Sequence, residues 1–137
     1  MFAVFGEKVN LIDQIEINLN ERCAESQFFL SGESDFLADH FPDTPILPGL
    51  VMLEMAAQTA AAWMTKNTEK LDRVNFDIDL LEQLYVTRPV LPNEILSMKV
   101  SVEQLSTDCL SAYFNAEARV TNKRAMRARF RLTPTNK

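Results

Sequence analysis

The chain has one histidine, two cysteines and one tryptophan among 137 residues, and it has no apolar run of membrane-spanning length. One histidine and two cysteines far apart in sequence offer no metal-ligand spacing, so no metal site is expected. Cys23 and Cys109 both sit in strand-like surroundings and read as reduced core thiols rather than a disulfide. The longest apolar stretch stops at Thr65-Lys66, short of the roughly 20 residues a spanning helix needs, so no membrane segment is expected. The start, MFAVFGEKVN, lacks the basic opening and long apolar core of a secretory signal, which points to a cytoplasmic protein. Internal repeats and low-complexity segments are missing too. At a net charge of −5, with few aromatics among the basic residues, nucleic acid is not an expected partner.

What is present is apolar and ordered by period. A hydrophobic content of 47% lets the chain bury a real core, and nothing divides residues 1–137 into more than one domain. Residues 10–19 and 22–30 carry partly alternating apolar positions around the polar Asn20-Glu21 turn, which predicts a hairpin. Residues 50–64 are apolar on every side, interrupted mainly by Glu54, Gln58 and Thr59, as in a helix buried all round. Further strands are predicted over 74–84, 95–105, 109–120 and 125–132, separated by turns such as Ser106-Thr107-Asp108 and Thr121-Asn122-Lys123. Only residues 134–137 read as a loose tail. Two strands, one apolar helix and four more strands make an α+β layout in which an antiparallel sheet wraps a single helix.

The chemistry concentrates between His40 and Gln58, in HFPDTPILPGLVMLEMAAQ. Pro42, Pro45 and Pro48 stiffen the loop that carries His40 and leads into Gly49. Burying Glu54 in the following helix costs several kcal/mol unless the carboxyl takes up a proton. Gln58 lies one turn on, about 6 Å along the same face, where its amide can bond that carboxyl and orient it. A carboxylic acid with a raised pKa donates a proton near neutral pH, and an ordinary histidine accepts one. The bland alternatives are a packed His40, a Glu54 held by the helix dipole, and a Gly49 that only completes the turn after Pro48. Leu50, Met52, Leu53, Met55 and Trp63 read as core or as the wall of an acyl tunnel.

The pattern H-F-P-x-x-P-[IV]-x-P-G, with an acid fourteen positions after the histidine and a glutamine four beyond it, resembles the 3-hydroxyacyl-acyl-carrier-protein dehydratases of the hot-dog fold. His40, Phe41, Pro42, Pro45, Ile46, Pro48, Gly49, Glu54 and Gln58 match in order and spacing. Glutamate at position 54 and the short chain favour the FabZ-like branch, and residues 88–94, RPVLPNE, are similar to that branch's turn into a strand. The resemblance implies elimination of water from a 3-hydroxyacyl thioester carried by acyl carrier protein or another pantetheine, with no cofactor. It implies that His40 removes the C2 proton, that Glu54 protonates the leaving hydroxyl, and that the Gly49 N–H faces the thioester carbonyl. It also implies that Gln58 orients the acid and that the Ile46 carbonyl holds the histidine ring. A homodimer is implied, with His40 facing the partner's Glu54, as is a trimer of dimers in the shorter branch.

Departures from the pattern are Asp39 and Asp43 where relatives carry glycine, and Asn93 at a turn glycine. Carboxylates paired with His40 would raise its pKa and weaken it as a base. These departures keep open a non-catalytic acyl-binding subunit, and a hot-dog thioesterase using Glu54 and Gly49 is the other alternative. Near the C-terminus, Arg127, Arg129 and Arg131 alternate with apolar residues and would share one solvent face of the last strand. They read either as protection of an edge strand or as a dock for an acidic carrier protein or for the phosphates of a pantetheine-linked substrate.

Overall fold

The computed structural model describes residues 10–31, 49–71 and 73–135. Among them are β1 (Gln14–Asn18), β2 (Cys23–Phe29), α1 (Gly49–Asn67), β3 (Phe76–Val86), β4 (Ile95–Leu105), β5 (Ala112–Val120) and β6 (Lys123–Pro134). A short 3-10 turn, Glu69–Leu71, follows the helix. The strands form one antiparallel sheet in the order β1-β2-β4-β5-β6-β3. This is the α+β arrangement expected: among the described residues, one sheet packs against one α-helix. No helix among the described residues is long and apolar enough to cross a membrane.

Alternation decides which face each strand turns to α1. In β5, Ala112, Phe114, Ala116, Ala118 and Val120 point inward and are buried, while Asn115 and Arg119 point out. Against that face α1 buries every residue from 51 to 60. Met52, Met55, Ala56 and Ala60 are fully buried and Trp63 is nearly so, with the Trp63 ring edge-on to Phe114 at 6.3 Å. Each large side chain removed from water here contributes roughly 2 kcal/mol, which holds the helix more firmly than propensity could.

The turns follow their residue chemistry. The β1–β2 hairpin closes with Asn18 accepting the Glu21 N–H at 2.9 Å and with Arg22 at φ 54°. Asn93 takes φ 69°, the left-handed conformation that its place at a turn glycine requires. Glu94 closes the same turn by accepting the Leu91 N–H at 2.7 Å and an Arg88 N–H at 3.2 Å, and β4 begins at the next residue.

Several expectations are corrected. The last strand is not an edge: β6 lies between β5 and β3, and the sheet's edges are β1 and β3. Its arginines therefore do not protect an edge. Arg129 contacts Glu82 and Glu103, Arg131 grips Asp79 with bonds of 2.7–3.1 Å, and Arg127 stacks on Tyr85 at 5.4 Å. Carboxylates of the sheet's own outer face thus answer much of the basic stripe, and an acidic partner would have to displace them. Cys23 and Cys109 are half-buried rather than core, and Cys109 sits in a turn at φ 63°. Leu50 is 61% exposed and is not core in the protomer, whereas Met52, Leu53, Met55 and Trp63 are. Pro134 is no tail residue but pairs with Phe76 at the end of β6.

Candidate acid–base site

Glu54 stands in the second turn of α1, and the first turn holds no acidic residue. Stabilisation by the N-terminal helix dipole falls off within the first turn, so it does not explain a carboxyl here. The side chain is 1% exposed, in the stretch of the helix that is covered on all sides. Burial drives its pKa up to about 7 from 4.5, and the hydrogen bond from Gln58 pulls it partly back. A carboxyl in this state exchanges a proton near neutrality, as an acid or base in catalysis requires.

Gln58 is four residues on and 4% exposed. Its Nε2 donates to Glu54 Oε2 at 3.1 Å, and its Oε1 accepts the backbone N–H of Leu11 at 2.9 Å. Among the described residues, the other carboxyl oxygen, Oε1, has no hydrogen-bond partner. One oxygen is therefore anchored and one is left for another group. Nearby in the core, Thr59 donates to the Met55 carbonyl at 2.8 Å and so accepts from Ser26 at 2.7 Å, which satisfies both buried hydroxyls.

Gly49 opens the helix, and a Cβ built there would lie 2.6 Å from Cγ2 of Val86 at the end of β3. Its φ lies outside the left-handed region, so close approach rather than backbone conformation demands the glycine. Gly49, Glu54 and Gln58 are thus carried by the first three turns of one helix. His40, Ile46, the three loop prolines, Asp39 and Asp43 lie outside the described residues. The Leu11 N–H was missed by sequence reading, because a backbone donor has no residue signature; only the buried Gln58, needing an acceptor's partner, hinted at one.

A groove of about 540 Å³ opens on the opposite face of the sheet, between Glu16, Glu25, Lys99, Glu117 and Arg119. Its walls do not include Glu54, and the space lies between long polar side chains that alternate with the buried positions of their strands.

Glu54 also makes stability depend on pH. Its folded pKa exceeds the unfolded one, so between about 4.5 and about 7 the folded chain binds more protons. The stability tied to the protonated form is complete below about 4.5, declines as pH rises and is gone above about 7. The span is on the order of 3 kcal/mol. Glu54→Gln cannot ionise and should lack this decline, becoming more stable than the parent in alkaline buffer. Urea midpoints of both proteins at about pH 5 and about pH 8.5 test this; parallel changes in the two would show that Glu54 does not titrate near neutrality.

Comparison with known proteins adds four findings. The family model ApeI-like, described as ApeI dehydratase, matches residues 16–127. A 3-hydroxyacyl-[acyl-carrier-protein] dehydratase FabZ of Acidiphilium cryptum is 33% identical over 93 residues, 66% of this chain and 54% of that protein. A FabZ of Caulobacter sp. is 29% identical over 96 residues, 69% of this chain and 58% of that protein. These matches span less than two thirds of either relative's length. The solved dehydratase heterocomplex ApeI:P of Xenorhabdus doucetiae superposes with a TM-score of 0.76 at 14% identity, over 93% of this chain and 84% of that one. That likeness is one of fold, the hot-dog arrangement of a sheet around a helix.

Proposed function

The chain belongs to the ApeI-like dehydratase family, and from that premise we propose that it is a cytoplasmic hydro-lyase. Its reaction removes water from a 3-hydroxyacyl thioester, carried by acyl carrier protein or another pantetheine, to give the trans-2-enoyl thioester of a fatty-acid or related polyketide or polyene pathway. The observation that carries this reading is the buried Glu54, held near neutral pKa with one oxygen anchored by Gln58 and the other unpartnered among the described residues.

In the proposed step, His40 takes the C2 proton while Glu54 gives its proton to the C3 hydroxyl, which departs as water. Negative charge gathers on the thioester oxygen. The Gly49 N–H at the opening of α1 receives it, where the helix dipole favours an anion and no Cβ obstructs approach. Gln58 keeps the acid oriented, and the Ile46 carbonyl fixes the histidine ring. The mechanism needs no metal or cofactor.

The protein is further proposed to work as a homodimer, with a trimer of dimers as the larger assembly. Strand β3 is an edge of the sheet among the described residues, its register shifts twice, and Leu80, Leu81, Tyr85 and Val86 are exposed along it, with Val86 against Gly49 at the start of α1. An exposed apolar strand edge of this kind is stable when another strand covers it. The heterocomplex of the Xenorhabdus structure favours a second reading, in which this chain is one subunit of a mixed dehydratase.

The purified protein should hydrate a crotonyl thioester, seen as loss of enoyl absorbance. Release of free thiol with the enoyl group intact would mark a thioesterase. No turnover alone, but turnover with an added homologue, would mark the mixed enzyme.

A further inference from the structure

One row of side chains crosses all six strands. Glu16 of β1, Glu25 of β2, Lys99 of β4, Glu117 of β5, Arg127 of β6 and Tyr85 of β3 are register partners in turn. The row lies on the face turned away from α1, because its neighbours along the interior strands, Ala24, Met98, Ala116 and Ala128, are buried. Glu16 and Glu25 stand directly opposite each other, a like-charge pair that destabilises a sheet unless cations answer it. Among the described residues neither forms an ion pair, nor does Lys99, and Arg127 has the Tyr85 ring but no carboxylate. The imbalance extends over the whole face. Strands β1, β2 and β4 carry three acids and one lysine, net −2, whereas β5, β6 and β3 carry six cations and four acids, net +2.

We propose that this outer face docks on the same face of a second copy of the chain, about a two-fold axis that runs between β4 and β5. Such an axis reverses the row: Lys99 lies on Glu117 of the second copy, Glu25 on its Arg127 and Glu16 on the hydroxyl of its Tyr85, each pairing occurring twice. The acidic half thereby covers the basic half. In the flanking rows Arg119, Arg124 and Arg129 come opposite Ser97, Gln27 and Cys23, so no like charges meet there. Other axes fail this test. An axis along β4 stacks Lys99 on Lys99 and Glu25 on Glu117, and one along the row itself puts every charge on its own copy. An axis along the strands also keeps the two sheets aligned, as face-to-face packing requires. The groove of about 540 Å³ on this face spans β1, β2, β4 and β5, where the side chains of the second copy enter. The contact does not depend on the proposed reaction, and its surface differs from the β3 edge, so it would join dimers of that kind into larger assemblies. Exposed ion pairs are individually weak, and the contact is therefore one of low salt.

Sedimentation velocity of the purified protein at low ionic strength tests this. Glu25→Arg sets an arginine against Arg127 of the second copy, Arg127→Glu sets a glutamate against Glu25, and each should weaken association at least about tenfold. The double variant, Glu25→Arg with Arg127→Glu, restores opposite charges and should recover the parent's mass. Glu69→Arg, a reversal at an exposed position of the 3-10 turn, changes net charge as Glu25→Arg does and should leave association unaltered. The parent gives a second measurement that needs no variant: salt at about 1 M, where the Debye length is about 3 Å, should act as the single reversals do. Single reversals that associate like the parent, a double variant no better than either single one, or a parent mass that ignores salt would each overturn the proposal, as would a parent that is monomeric at low salt. If the parent is a dimer that the single reversals split, the outer face is the dimer contact and the β3-edge dimer is rejected instead. If it is a dimer that they leave whole, the β3 edge stands and the outer-face contact falls.

Discussion

His40→Ala and Glu54→Gln are each expected to lower hydration of a crotonyl thioester by roughly 10²–10⁴-fold, the contribution of a positioned acid or base. The double variant should be hardly worse than either single one, because the two groups move protons in one step and the loss of either stalls it. Glu54 differs from a surface carboxyl in ways that make this expectation specific. It is 1% exposed, lies beyond the helix's first turn, and has its pKa driven to about 7 by burial. A structural carboxylate would be paired; this one keeps an oxygen without a partner among the described residues. Because Glu54→Gln is also expected to gain stability in alkaline buffer, its loss of turnover there could not be ascribed to unfolding. Losses of only a few-fold in both single variants, or additive losses in the double, would reject the acid–base pair.

Co-expression of the two inactive variants is expected to restore activity to about a quarter of the parent's, if each site takes His40 from one subunit and Glu54 from the other. Random mixing puts half of the dimers in the mixed form, and each mixed dimer holds one intact site of two. A site within one chain predicts no recovery at all, since each chain would still lack its acid or its base. The physical ground is the open β3 edge, along which Leu80, Leu81, Tyr85 and Val86 are exposed and whose Val86 meets Gly49 at the helix start. A mixture that remains inactive while mixed dimers are demonstrably present rejects the shared site. A protein that light scattering finds only as a monomer rejects the dimer itself.

Sequence by itself determined the elements and the local chemistry of the helix, because both depend on neighbours within a few positions. Apolar residues on every side of residues 50–64 announced a buried helix, and Glu54 and Gln58 had to share one of its faces because they stand a single turn apart. Apolar positions bounded by polar turns marked a strand over 109–120, which the structure begins at Ala112, and Asn93 at a turn glycine implied the left-handed conformation it adopts. The order of the strands was a different matter. The alternation of Arg127, Arg129 and Arg131 is the same in an edge strand and in an interior one, so only the pairing of β6 with both β5 and β3 removed the edge reading. Arg131 meets Asp79 across fifty-two residues, and no local pattern could have announced that bond. Tertiary structure alone likewise placed Val86 against Gly49, giving that glycine a steric reason, and brought the Leu11 N–H to Gln58. Periodicity tells which way a side chain faces; what stands opposite it depends on chain closure over long separations, and a backbone N–H is identical at every residue but proline.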